Sequence, residues 1–182
     1  MPSNFQEKLR KQQQWLRLLP DRVILNLATL GPLGLSPKAP GTVGSIGAMA
    51  LYVVFHYFLG GMWQPLQMLL WVVLIYLGTL ICGEAEQRLQ KRDPGEIVLD
   101  EAVAIPLCFI GLGEWMAPLA LPYTLLAGFI LFRIFDIKKP FGIRELQRYP
   151  GGIGVVLDDV AAGIATCLVL HAAKLGWALY PL

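Results

Sequence analysis

The chain has 182 residues, of which 55% are hydrophobic and only 15% charged, with a mean hydropathy of +0.56. Soluble domains carry about 25% charged residues, so this composition argues against a water-soluble globule and for a chain whose solvent is a bilayer. A net charge of +2 offers no bulk basicity for binding nucleic acid.

Residues 1–22 are polar and basic (Lys8, Arg10, Lys11, Arg17, Arg22), with Trp15, Leu16, Leu18 and Leu19 interspersed. Such a segment is either an interfacial amphipathic helix on anionic headgroups or a solvated tail. Its polarity runs past the point where the apolar part of a cleavable signal would begin, so no such signal is expected. Residues 23–35 are apolar but short, and Asn26, Gly31 and Pro32 interrupt them, which suits an interfacial or re-entrant piece. The chain thus divides into a basic N-terminal interfacial segment, 1–30, and a membrane domain, 31–182.

A loop, 36–45, precedes apolar residues 46–59, and Gly60-Gly61 is read as a tight connection to a second apolar stretch at 62–82. Crossing a ~30 Å hydrocarbon core takes about 20 residues. Residues 43–60, 62–82 and 160–180 meet that length, and 115–135 does so if Pro118 and Pro122 are accommodated near one end. The 102–113 stretch is too short unless it carries Asp100 and Glu101 into the boundary. The runs are Leu- and Ala-rich without period-two alternation. The fold class is therefore all-α, a polytopic helical membrane protein with four to five transmembrane or re-entrant helices.

Residues 1–42, 84–101 and 133–159 hold 14 of the 15 Lys and Arg residues; only Lys174 falls elsewhere. The positive-inside rule assigns those loops to the cytoplasm. Every polar motif then lands on one face, where the groups can converge on a single site.

Charge is expensive beside apolar runs, so Asp100, Glu101, Asp136, Asp158 and Asp159 need a reason to be there. Acids at a helix N-terminus are one reason; a divalent metal site is the other, and two doublets on one face favour metal. Carboxylate oxygens with few His or Cys competitors suit magnesium over zinc. Arg133, Asp136 and Lys139 recur every third residue, hence share a side of a helix that Pro140 would end. They form either an internal ion-pair ladder or a pair of phosphate-holding cations with Asp136 joining the acids. Arg144 and Arg148 are assigned to lipid headgroups.

The loop Ser36–Ser45 can offer backbone N–H groups and Lys38 to an anion, or Thr42 or Ser45 can be a plain N-cap. His56 and His171 lie inside apolar stretches, and Cys82, Cys108 and Cys167 are read as small core residues. A phosphohistidine or thiolate nucleophile is therefore not expected, which leaves metal-assisted attack by water.

Four strings occur in order: GLSPKAPGTVGS (Gly34–Ser45), GEIVLDE (Gly95–Glu101), FRIFDIKKPF (Phe132–Phe141) and GGIGVVLDD followed by VAAG (Gly151–Gly163). Together they cover most of residues 31–165 and resemble the phosphatidylglycerophosphatase A family. One departure stands out: Gly142 follows the Lys-Pro-aromatic run where the family usually has another proline.

The resemblance implies a magnesium-dependent phosphatase of the bacterial inner membrane, its site facing the cytoplasm. It would convert phosphatidylglycerophosphate to phosphatidylglycerol and inorganic phosphate. It also implies roles: Asp100, Glu101, Asp136, Asp158 and Asp159 as Mg2+ ligands, and Lys38, Thr42, Ser45, Arg133 and Lys139 as phosphate binders. Glu101, Asp100, Asp159 and Lys139 would be the catalytic set, with Glu101 taking the proton of water. Two rivals come from other classes. A small metal-binding membrane transporter would place its acids near mid-bilayer. A CDP-alcohol phosphotransferase would carry its aspartates in one compact run, whereas these doublets stand 58 residues apart.

Overall fold

The computed structural model describes residues 16–59 and 64–179, all of them helices, turns and loops without a strand. Residues 1–15 of the basic segment and the Gly60-Gly61 connection lie outside the described residues. The helices are α1 (Asp21–Ala28), α2 (Pro40–Leu59), α3 (Gln64–Leu89), α4 (Leu99–Ala104), α5 (Leu121–Lys138), α6 (Ile143–Leu146) and α7 (Gly152–Leu179).

Among the described residues three helices are long and apolar enough to cross a membrane: 40–58 in α2, 65–89 in α3, and α7. Only 22% of the most apolar window of α3 is buried within the protein. Val72, Leu69, Phe58 and Leu168 project outward at 59–82% exposure, a surface that water would not tolerate and lipid would.

α5 is 18 residues long, but Arg133, Asp136 and Lys138 occupy its last turns. Its start at Leu121 places Pro122 in the first turn, where the missing N–H costs nothing. The 102–113 stretch is not a spanning helix. α4 ends after six residues and passes into a short 3-10 turn, Ile105–Phe109, with Pro106 at its start. Gly111 and Gly113, both at positive φ, then turn the chain. Ile105, Cys108 and Leu112 are fully enclosed, so this irregular backbone is covered by protein.

α7 is the central element. It packs against α3, α4, α5 and the 3-10 turn. The core around it contains Tyr52, whose ring stacks on Phe109 at 4.9 Å, with Phe132 and Ala162. A second cluster joins Leu16, Ile24 and Ala28 to Leu80, Cys82 and Val156. The N-terminal stretch is also clamped by polar groups: Arg88 donates to the carbonyls of Leu16 (2.9 Å) and Leu19 (3.0 Å) and pairs with Asp21 and Glu84. α3 runs on as an ion-paired helix through residues 84–89, with Glu84 only 4% exposed, where the sequence had suggested a charged loop.

α3 and α7 come into close backbone contact at Gly152. A Cβ there would stand 1.8 Å from the Thr79 carbonyl oxygen and 2.6 Å from the Gly83 nitrogen, both backbone atoms that cannot swing aside. Gly152→Ala should therefore force the two helices apart and cost on the order of 3 kcal/mol. In detergent the variant should melt well below the parent; an unchanged melting temperature would mean that the contact is not tight.

Candidate active site

α2 and α7 begin, and α3 and α5 end, at the same end of the bundle. Their termini and the first turn of α4 form one polar cluster there. Asp100 and Glu101 occupy the first turn of α4 and are 6% and 7% exposed. α2 passes over them on its small residues. A Cβ on Gly41 would lie 2.8 Å from Glu101 Oε1, and one on Gly44 only 2.5 Å from the Val98 side chain. These glycines let the α2 backbone approach a buried carboxylate.

Ser45, fully buried, lies 2.7 Å from Glu101 Oε2 and 2.8 Å from the Gly41 carbonyl. Its one hydroxyl proton serves one of these acceptors at a time. Neither Thr42 nor Ser45 is an N-cap, because α2 already begins at Pro40. Thr42 is half-buried and Lys38 exposed; among the described residues neither side chain bonds to the acids.

From α5, Arg133 Nη1 donates to Glu101 Oε1 (2.9 Å) and Asp136 Oδ2 (2.6 Å), with Ser45 Oγ 3.2 Å away. The three-residue spacing of Arg133 and Asp136 thus acts as expected. Lys139 does not continue the ladder as a helical residue. It caps α5 in the left-handed conformation (φ 46°), and its ammonium donates to Asp158 Oδ2 of α7. Gly142, at φ 84°, completes this turn. A proline, locked near −65°, could not adopt that angle, so the departure at this position is built into the backbone.

Asp158 Oδ1 is buried with no partner among the described residues, and Asp159 is within electrostatic reach of Asp100, Asp136, Asp158 and Glu101. Five acids thus face two cations, Arg133 and Lys139. Burial pushes Glu101 up to about 7, helped by Asp136 and opposed by the Ser45 hydrogen bond and by Arg133. Burial also lifts Asp100 well above the usual carboxylate range, and the charges of Glu101, Asp93 and Asp158 lift it further. Burial works against the Lys139 ammonium, but Asp158 and the neighbouring acids outweigh it and hold the group above its ordinary value.

Gly41, Gly44 and Asp93 are contributors that the motifs alone did not single out. The Gly-x-x-Gly-Ser spacing of 41–45, which lines one face of a helix, was the available signal. The histidines play no part here: His171 Nδ1 sits 3.0 Å from the Cys167 carbonyl, and His56 neighbours Tyr52 and Tyr57, both far along their helices from the acids. Cys82 and Cys108 are buried and Cys167 half-buried, all as free thiols.

The profile of the family described as Phosphatidylglycerophosphatase A matches residues 26–174, which include every one of these groups. The chain belongs to the phosphatidylglycerophosphatase A family. The Phosphatidylglycerophosphatase A of Escherichia coli K12 is 34% identical over 151 residues, covering 80% of each chain. That of Haemophilus influenzae is 34% identical over 144 residues, covering 78% of this chain and 82% of its own. A Bacteroides thetaiotaomicron protein named "Putative phosphatidylinositol-3-phosphatase" is 35% identical over 152 residues, covering 78% of this chain and 87% of its own. No solved structure matches significantly.

The raised carboxyls make stability depend on pH. Glu101 binds its proton up to about pH 7 when folded but only up to ~4.3 when unfolded, so the folded state holds more protons between those values. Stability should then be highest below ~4.3, as far as this group is concerned, and fall as pH rises through about 7. Thermal unfolding in detergent with a chelator should give a lower melting temperature at pH 8 than at pH 6. Glu101→Gln, which cannot ionise, should flatten that slope; a slope unchanged by the substitution would count against Glu101 as its source.

Proposed function

We propose that this protein hydrolyses the terminal phosphomonoester of phosphatidylglycerophosphate, yielding phosphatidylglycerol and inorganic phosphate, from the cytoplasmic face of a bacterial inner membrane. One observation carries the reading. In a chain of this family, acids and cations from three distant motifs, with Ser45 from a fourth, meet at one end of a bundle whose long helices present apolar faces outward.

The donor set fits magnesium in chemistry and charge. It consists of hard carboxylate oxygens, carries a formal excess of three negative charges when all five are ionised, and includes a buried Asp158 oxygen without a partner. Among the described residues no three of these groups are placed as a ready-made metal cage. Asp100, Glu101, Asp158 and Asp159 would hold the ion, with Asp136 as a further donor. When bound, magnesium would supply Lewis-acid polarisation of the phosphate and an activated water.

The chain's own groups do the rest. Arg133 and Lys139 provide charge for the equatorial phosphate oxygens. Glu101, with its raised affinity for a proton, accepts one from the attacking water at a carboxylate oxygen. The phosphorus–oxygen bond to glycerol breaks, and the leaving alkoxide takes a proton in turn. Ser45 and Arg133 hold Glu101 from opposite oxygens, and so fix its orientation. The outer apolar faces keep the acyl chains in lipid while the headgroup is presented to the acids.

The test is phosphate release by purified protein in mixed micelles, with magnesium titrated against a chelator. Asp158→Asn and Glu101→Gln should each lower turnover by about 10²-fold or more. Full activity in either correctly folded variant would refute the assignment. Phosphatidylinositol 3-phosphate offered in parallel decides the headgroup, since one relative bears that name. Faster release from it would replace the substrate named here.

A further inference from the structure

Beside the carboxylate cluster lies a second polar cavity of about 470 Å³ that no step above uses. It opens where α6 meets the start of α7, and three arginines line it: Arg92, Arg144 and Arg148. Two acids also line it, each hydrogen-bonded to a neutral group, so the three arginines leave the lining one positive charge in excess. Glu86 Oε1 accepts the backbone N–H of Asp93 at 3.0 Å, and Asp93 Oδ2 accepts from Gln147 Nε2 at 2.7 Å. Arg92 is held in place by the Gln147 carbonyl at 2.7 Å, a contact that leaves its charge unanswered. Among the described residues Arg148 pairs only with the exposed Glu145, a contact of little worth in water. Arg144 is exposed and has no ion-pair partner among the described residues.

This cavity is coupled to the active site by position. Gly154 and Val155 form part of its wall, and Asp158 and Asp159 follow four residues later on the same helix. Residues four apart share a helix face about one turn, ~5.4 Å, from each other. The cavity lies toward the N-terminus of α7, on the side away from the apolar run. Asp93 belongs to its wall and also contributes to the charge felt at Asp100.

We propose that this arginine-lined cavity is a second phosphate-binding site, one helical turn outward from the carboxylates. Planar guanidinium groups bind phosphate oxygens in pairs, and three of them converge on a volume ample for the group. The shared ligand chemistry is a phosphate oxyanion, from either orthophosphate leaving the acids or a lipid headgroup arriving at them. The proposal rests on the phosphatase reading, which supplies the released or incoming phosphate.

The experiment measures binding independently of turnover. Purified protein in phosphatidylcholine nanodiscs is titrated with orthophosphate in one arm; in the other, phosphatidylglycerol replaces part of the lipid without added phosphate. Melting temperature is read in both. Orthophosphate or the anionic lipid should stabilise the parent protein, and an R144Q/R148Q double variant should need about tenfold more of the effective ligand. Asp158→Asn should keep the response. Stabilisation confined to the orthophosphate arm identifies the leaving product as the ligand; confined to the lipid arm, it identifies the headgroup.

An identical response of parent and double variant in both arms, or none in either, overturns the proposal. If the double variant does not fold, R92Q together with R144K takes its place under the same criteria. Arginine-dependent binding in a protein that releases no phosphate from phosphatidylglycerophosphate would leave this site standing and sink the activity. Normal release with arginine-independent binding would do the reverse.

Discussion

Five carboxylates brought together with only two cations at the edge of an apolar bundle are the constraint on which the rest of the structure depends. Taking an acid out of water without a partner costs several kcal/mol, so the fold must answer each charge or leave it protonated. It does some of both. Arg133 is shared between Glu101 and Asp136, and Lys139 reaches Asp158. Asp100 is pushed toward its neutral form by burial and by the acid beside it. A region so arranged is poorly suited to stability, and acids held above their ordinary proton affinity are a frequent mark of a functional site.

The close approach of helices around this cluster follows from the same constraint. Glu101 can be screened from water and held from both oxygens only if the α2 backbone comes within contact distance, which Gly41 and Gly44 permit and any larger residue would obstruct. On the other side, Gly152 brings α7 against α3, and α7 delivers Asp158 and Asp159 to the same region. The glycine-bearing strings are thus packing devices before they are anything else. Asp100 and Glu101 also stand in the first turn of α4, a position that favours negative charge.

Much of this was legible from residue type and spacing. Acids bordering apolar runs advertise their cost, and the Arg133–Asp136 interval is a helix-face interval whatever the tertiary structure. Other features were not legible, for definable reasons. Lys139 follows the same three-residue interval, yet Pro140 stops the helix just behind it, and the left-handed cap sends the side chain to Asp158 of another helix. Composition suggested a loop at 84–101, but Arg88 neutralises Glu84 four residues away, so a charged pair extends α3 within the core. The apolar 102–113 stretch looks like part of a span until Pro106 and two positive-φ glycines turn it inside the bundle. In each case a helix stop, an i,i+4 pair or a turn residue outweighed the composition of the segment.

The position of the acids along α7 separates an enzyme acting on headgroups from a pore or carrier. That helix has 28 residues, roughly 42 Å at 1.5 Å per residue, longer than the ~30 Å hydrocarbon core it could cross. Asp158 and Asp159 fall where its second turn ends, and the mostly apolar run that follows, which includes Thr166, His171 and Lys174, begins at Val160. If that run fills the hydrocarbon, both acids sit at its boundary, at the depth of lipid phosphates. A transported ion would need polar groups farther along the helix, but Thr166 bonds its own Ala162 carbonyl and His171 that of Cys167. Those groups are satisfied within the helix, and Lys174 beyond them donates to the Leu112 carbonyl, so the acids of α7 are confined to its start.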